Sequence, residues 1–202
     1  MIVSSRLTLL TLLISLTACS SPAVRYHTLV PAGTTAPAAA EPAAFLINLL
    51  PVGIPPQIDM AQLVVRQGDN QALVLDNERW LSPLGDEMRS AISAELVRQL
   101  GTQDVAGLSA PAGAPLLNIQ IQIRKFDSWP SQRVQLAADW SLTFRHQTEK
   151  TRLLCSSQLT ESVAGGYSEM LQAQQKILVR LATQIAANAR HWTQDPQMQC
   201  LR

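Results

Sequence analysis

Leu117-Asn118-Ile119-Gln120-Ile121-Gln122-Ile123-Arg124 alternates apolar and polar side chains without a slip. Successive side chains of an extended chain point to opposite faces, so this stretch reads as a strand with one dry and one wet face. Val134, Leu136, Ala138, Trp140, Leu142 and Phe144 repeat the pattern against Gln135, Asp139, Ser141, Thr143 and Arg145. Leu153, Cys155, Ser157, Leu159 and Val163 form a third, weaker run. Three such runs in succession predict an antiparallel meander covered on one side. Asp127-Ser128-Trp129-Pro130 and Gln147-Thr148-Glu149-Lys150 read as its turns.

The cover comes from two amphipathic helices that bracket the meander. Leu84, Met88, Ile92, Leu96 and Leu100 recur every fourth residue with Ala91 beside them, which is one face of a helix. Ser82 reads as its cap and Pro83 suits the first turn, where a missing N–H costs nothing. Asp86 and Glu87 sit near the positive end of the helix dipole, and Gly101 ends the helix. After Gly165-Gly166, a second helix from about Glu169 to Trp192, with Ser168 as its cap, carries Met170, Ile177, Leu178, Leu181, Ile185, Ala189 and Trp192 as its buried stripe.

Upstream, Phe45 to Leu50 is a short, nearly unbroken apolar run, ended by Pro51, Gly53, Pro55 and Pro56, and reads as a strand buried on both faces. Leu63-Val64-Val65-Arg66 and Ala72-Leu73-Val74-Leu75 flank Gln67-Gly68-Asp69-Asn70-Gln71, a hairpin signal because Gly, Asp and Asn tolerate left-handed backbone. Gly107 to Pro115 reads as a loop. The expected order is strand, hairpin, helix, short strand, three-strand meander, helix. That is an α+β fold, a mostly antiparallel sheet covered on one face by two amphipathic helices.

The first residues have another character. Arg6 is followed by the apolar run Leu7 to Leu16 and then by Thr17-Ala18-Cys19. A basic start, a short apolar run and small residues before a cut are the layout of a secretory signal. The run is about half of the ~20 residues a membrane-spanning helix needs. Leu16-Thr17-Ala18-Cys19 is similar to the bacterial lipobox, which implies cleavage before Cys19, a diacylglycerol on its sulfur and an acyl chain on its amine. Two or three acyl chains at ~0.8 kcal/mol per buried CH₂ anchor a protein stably. Ser20 and Ser21 follow, and by likeness to enterobacterial sorting the absence of Asp there implies the outer membrane. Ser20 to Ala44 has the composition of a flexible linker, with Pro22, Pro31, Pro37 and Pro42 among Ala, Thr and Gly. One island, Val24-Arg25-Tyr26-His27-Thr28-Leu29, is β-prone and reads as a short strand or a docked segment. The expected divisions are a signal over 1–18, a lipidated tether over 19–44 and a folded domain over 45–202.

The chain has 202 residues with a formal net charge of +1, and no basic stripe that would suit nucleic acid. Besides Cys19 it holds Cys155 and Cys200, an even pair in an oxidising compartment. They are either a disulfide tying down the C-terminal tail or two free buried thiols. His27, His146 and His191 are scattered, none with a His or Cys partner at metal-ligand spacing. No hydrolase elbow, zinc-protease helix or phosphate-binding loop is present. The reading is therefore of a binding protein without catalytic residues, metal or cofactor. Trp80 and Trp129 lie next to expected turns. With Arg79 they are candidate partner contacts, and the alternative for Trp80 is a staple at the start of the first helix. Asn118, Gln120 and Gln122 make an uncharged polar stripe that either pairs with another protein or is solvated.

Several stretches together resemble the PqiC/YmbA family of ABC-type transport auxiliary lipoproteins. They are the lipobox at Leu16 to Cys19; Tyr26-His27-Thr28-Leu29; Leu50-Pro51-Val52-Gly53-Ile54-Pro55 running into Ile58-Asp59 and Gln62-Leu63-Val64-Val65-Arg66; and Glu78-Arg79-Trp80-Leu81-Ser82-Pro83-Leu84. Leu81 and Ser82 depart from the residues usual there. The resemblance implies an outer-membrane lipoprotein of a transenvelope lipid-transport system, facing the periplasm and supporting membrane integrity. It implies an MCE-domain periplasmic partner of the PqiB kind and an inner-membrane partner of the PqiA kind. Because MCE proteins form rings, it also implies a homo-oligomer. The alternatives from the residues alone are a lipid-binding carrier and a pilotin-like assembly factor.

Overall fold

The computed structural model describes residues 22–32, 41–145 and 152–201. Its strands are β1 (Arg25–His27), β2 (Leu46–Leu49), β3 (Gln62–Arg66), β4 (Ala72–Trp80), β5 (Leu116–Trp129), β6 (Arg133–Arg145) and β7 (Arg152–Ser162). Its helices are α1 (Leu84–Leu100) and α2 (Tyr167–Gln194), with a 3-10 turn at Pro56–Ile58. The class is α+β as the periodicities imply, but the strands divide into two sheets. One has the order β2-β5-β6-β7 and the other β1-β4-β3.

The meander forms the larger sheet. β5 pairs antiparallel with β6 over its whole length, and β6 antiparallel with β7. β2 adds in parallel at the β5 edge, Leu46 opposite Leu116 and Leu49 opposite Ile119. β2 shows one buried and one half-buried face, not two dry faces. Its pairing continues past Leu50-Pro51-Val52: Gly53 donates to Ile121 O and accepts from Ile123 N. A Cβ at Gly53 would lie 2.1 Å from Gln122 Oε1, so a larger residue there displaces the Gln122 side chain. No further strand separates α1 from β5. The chain makes only an isolated bridge, Asp104 with Ile47, which covers the outer edge of β2.

The expected turn at Asp127-Ser128-Trp129-Pro130 is mostly strand. A bulge at Ile123/Lys125 shifts the register, so Leu117, Ile119, Ile121 and Ile123 before it and Phe126 and Ser128 after it all face inward. The turn is Pro130 to Gln132, where Ser131 takes a left-handed φ of 59°. The Gln147–Lys150 turn lies outside the described residues.

α2 packs on β5, β6 and β7, and α1 packs along α2. Met88, Ile92, Leu96 and Leu100 of α1 meet Ile177, Leu181, Ala182 and Ile185 of α2 in one core with Ile119, Ile121 and Leu142 of the sheet. Each fully buried Leu or Ile contributes roughly 1.5–3 kcal/mol, so this layer outweighs any surface ion pair of the fold. α1 ends at Gly101, whose φ of 61° is left-handed and whose N–H returns to Val97 O. Neither helix has the expected side-chain cap. Pro83 and Gly166 occupy the cap positions, and α2 starts at Tyr167, ahead of Ser168.

Candidate functional site: the carboxylate-held N-terminal strand

A three-residue strand cannot hold itself in place, and β1 is held by two buried glutamates. It lies parallel to β4, Arg25 opposite Glu78 and His27 opposite Trp80. The Glu78 carboxylate, buried beneath it, takes hydrogen bonds from Arg25 and from His27 Nε2 at 2.5 Å. Glu87, one turn into α1, accepts four: Thr28 Oγ1 at 2.7 Å, Leu29 N at 2.9 Å, Ser82 N at 3.1 Å and Ser82 Oγ at 2.6 Å. Ser82 therefore gives its hydroxyl to Glu87 and not to a helix N–H. The capping is reversed, with the helix side chain reaching back to the preceding residue, as in half of a capping box. Leu29 is fully buried in the core, and Gln175 of α2 donates to Thr28 O at 3.2 Å. The segment read from composition as tether thus contains residues built into the fold.

Burial alone would raise both carboxyls. At Glu78 the bonds from His27 and Arg25 outweigh it, and at Glu87 the bonds from Ser82, Thr28 and Leu29 do, so both pKa values lie below the ordinary carboxylate value. Glu95, buried further along α1, is lowered in the same way by Arg98 and Gln99 against its own desolvation. These are ionised groups satisfied by donors.

The C-terminal tail is held by other means. Cys155 of β7 and Cys200 form a disulfide, their Cα atoms 5.8 Å apart. Leu201 N donates to Asn188 Oδ1 at 2.8 Å and Trp192 Nε1 donates to Pro196 O at 3.2 Å.

Other residues singled out in the sequence are placed as follows. Trp80 and Trp129, the candidate partner contacts, are buried, at 5% and 6% exposure, so their rings are withdrawn from the surface of the single chain. Trp80 belongs to the main core at the head of α1, the staple alternative, because β4 runs to residue 80 and turns it inward. Trp129 lies beneath Arg133, whose guanidinium is 4.3 Å from the ring, and donates to Gly68 O at 3.2 Å. Arg79 is half-buried and donates to Asp76 O at 3.3 Å. Asn118 takes a bond from Asn48 at 2.8 Å, and Gln120 is exposed. His191 is exposed. Cys19 and His146 lie outside the described residues.

Two hubs carried little sequence signal. Glu87 reads as a dipole charge, because its partners Thr28 and Leu29 are 59 and 58 residues away. Asp104 joins Arg89 at 3.0 Å and Ser93 at 2.6 Å to the backbone of Leu49 at 3.2 Å, locking α1 to the edge of β2.

Chemically, the Thr28 and Ser82 hydroxyls donate to a carboxylate, Glu87, whose lowered pKa makes it a weak base. Among the described residues no three His, Cys, Asp or Glu side chains gather where a metal ion would fit. Phe45, Phe144, Trp192 and Arg190 line a surface cleft of about 520 Å³. Phe144 stacks on Trp192 there at 5.5 Å, and Arg190 is occupied by the carbonyls of Glu41 and Gln99. No described helix is long and apolar enough to cross a membrane. The arrangement holds and presents an N-terminal segment.

The intermembrane transport lipoprotein PqiC of Escherichia coli (strain K12) is 26% identical over 137 residues, 68% of either chain, and the PqiC of Shigella flexneri matches to the same extent. A crystal structure of an uncharacterized protein superposes with a TM-score of 0.65 at 20% identity, covering 83% of this chain and 99% of that one. A protein from Xanthomonas campestris gives 0.62 at 13% identity, covering 86% and 100%. Both likenesses show the shared fold. A family profile, that of the ABC-type transport auxiliary lipoprotein component, matches residues 27–186, from His27 in β1 to Ala186 in α2. On a match of that extent, the chain belongs to the ABC-type transport auxiliary lipoprotein family.

Proposed function

We propose that this protein is the outer-membrane lipoprotein of a transenvelope lipid-transport system of the MCE type. Acylated at Cys19 and facing the periplasm, it docks the periplasmic MCE assembly at the outer membrane and itself assembles as a homo-oligomer. The observation that carries the reading is the family match from β1 to α2, together with the likeness to PqiC. The role is one of binding. Arg79, exposed enough to be reached beside β1, is a candidate contact for the MCE protein or its inner-membrane companion.

The test is an affinity pull-down of the full-length, acylated protein from envelope membranes after mild crosslinking. Recovery of an MCE-domain protein, with an inner-membrane companion, is the expected result. Recovery of a secretion-channel subunit in its place, or of neither, overturns the reading.

A further inference from the structure

The N-terminal strand does more than fasten itself. Only residues 20–24 separate Cys19 from β1. At ~3.3 Å per residue that span reaches at most about 20 Å. A domain of this size has a radius of gyration of about 15 Å and so a diameter near 40 Å. The covalent leash is shorter than the body it holds. Had the whole of 19–44 been free, its reach of about 85 Å would let the domain face any direction. With β1 docked, the end of the domain where the chain enters must stay beside the anchor.

That end can be named. β1 runs parallel to β4, so Pro22 and Ala23 fall beside Leu75 and Asp76, on the side of the β3–β4 hairpin, and Tyr167 at the start of α2 lines the same hollow. Trp129 Nε1 donates to Gly68 O of the hairpin tip, and Ser131 Oγ donates to Gly165 O just before α2. The hairpin tip, the β5–β6 turn and the head of α2 therefore share one end. The loop over 107–115 lies at the other, 14 residues of β5 away, or about 45 Å. The anchored end exposes Val24, Val74 and Tyr167, with Asp76 lining the hollow; Arg133 and Lys125, the latter paired with Asp127 at 3.6 Å, sit beside the turn. Apolar and aromatic groups flanked by cations suit the interfacial zone of a bilayer.

We propose that the docked strand β1 seats the hairpin end of the domain against the lipid surface and holds the 107–115 end away from it. The proposal rests on the reading of Cys19 as the acylated residue. The full-length, acylated protein, carrying a fluorophore at Gln71→Cys in the hairpin or at Ser109→Cys in the opposite loop, is placed in vesicles of phosphatidylethanolamine and phosphatidylglycerol containing an acceptor-labelled lipid. Energy transfer to the lipid is at least about threefold stronger from position 71 than from 109, given the separation along β5. A flexible Gly/Ser insertion of about twenty residues between Ser21 and Pro22 adds roughly 25 Å of mean reach and brings the ratio toward one. Equal transfer from the two positions, or a ratio unchanged by the insertion, overturns the seating while leaving acylation intact. Failure of the protein to float with vesicles, with an unmodified Cys19 peptide by mass spectrometry, overturns the lipoprotein reading and the seating with it.

Discussion

The two ends of the folded chain are fastened by different chemistry. The C-terminal tail is closed covalently by Cys155–Cys200. The N-terminal segment from Arg25 to Val30 is held by two ionised carboxylates, Glu78 and Glu87, through donors on β1 and the residues after it. A covalent bond is indifferent to pH and depends on the redox compartment. A set of hydrogen bonds to carboxylates is strong while the groups are ionised and can be opened locally without unfolding the core. The reversible fastening is at the end nearest Cys19 in the sequence, and the permanent one closes the edge strand β7 far along the chain. On the proposed seating, the difference is one of duty: the tail only needs to stay, while the N-terminal segment sets how the domain hangs.

Breaking the covalent end is expected to have the largest effect. The disulfide closes a loop with a sequence separation of 45 residues, which in the chain-entropy account is worth about 4 kcal/mol. A Cys155→Ser/Cys200→Ser protein should lose most of that in urea unfolding, and near-UV spectra should still report a native core, because α2 packs on the sheet without help from the tail. A loss of under about 1 kcal/mol would show that the reduced unfolded chain is already compact and that the bond adds little.

Breaking the N-terminal end comes next. Glu87→Ala removes one acceptor that serves two backbone N–H groups and two hydroxyls. Leu29 N is buried, and an unsatisfied buried donor costs about 1–3 kcal/mol. With Ser82 N also orphaned, the expected loss is roughly 3 kcal/mol, read from the urea midpoint, with faster amide exchange at Leu29 and Val30. A variant as stable as the wild type, with Leu29 still protected, would mean that Leu29 packing alone holds the segment.

Much of this architecture was legible and its fastenings were not. The inward residues of β6 and β7 and the buried stripe of α1 follow from period and spacing, because each is written in residues close together in the chain. Gly101 marks the end of α1 for an equally local reason. The bulge at Ile123/Lys125 is hidden, since two adjacent basic residues look like the approach to a turn. The second sheet is hidden too, because β1 is three residues long and its partner Glu78 lies 53 positions from Arg25. A buried glutamate in the first turn of a helix carries the same letter as a solvated one. Only contact over long sequence separation tells them apart, and the same holds for Asp104 with Leu49.

Acid separates the two fastenings most finely. Glu78 and Glu87 both have folded pKa values below their ordinary value, so the contribution they make to holding β1 is complete above the ordinary carboxylate range. It is lost as pH falls through the lowered folded values, since protonation then costs the carboxylate the charge-assisted hydrogen bonds from its donors. The disulfide does not titrate in that window. Between neutral pH and the lowest pH at which the core stays folded, amide protection of Leu29 and Val30, corrected for intrinsic exchange, should fall. Protection of Leu201, which donates to the uncharged Asn188 beside the disulfide, should not. Parallel loss at both ends would mean that acid acts on the whole domain. Loss at Leu29 alone would show that the N-terminal strand opens as a unit of its own, with the core and the disulfide-closed tail left in place.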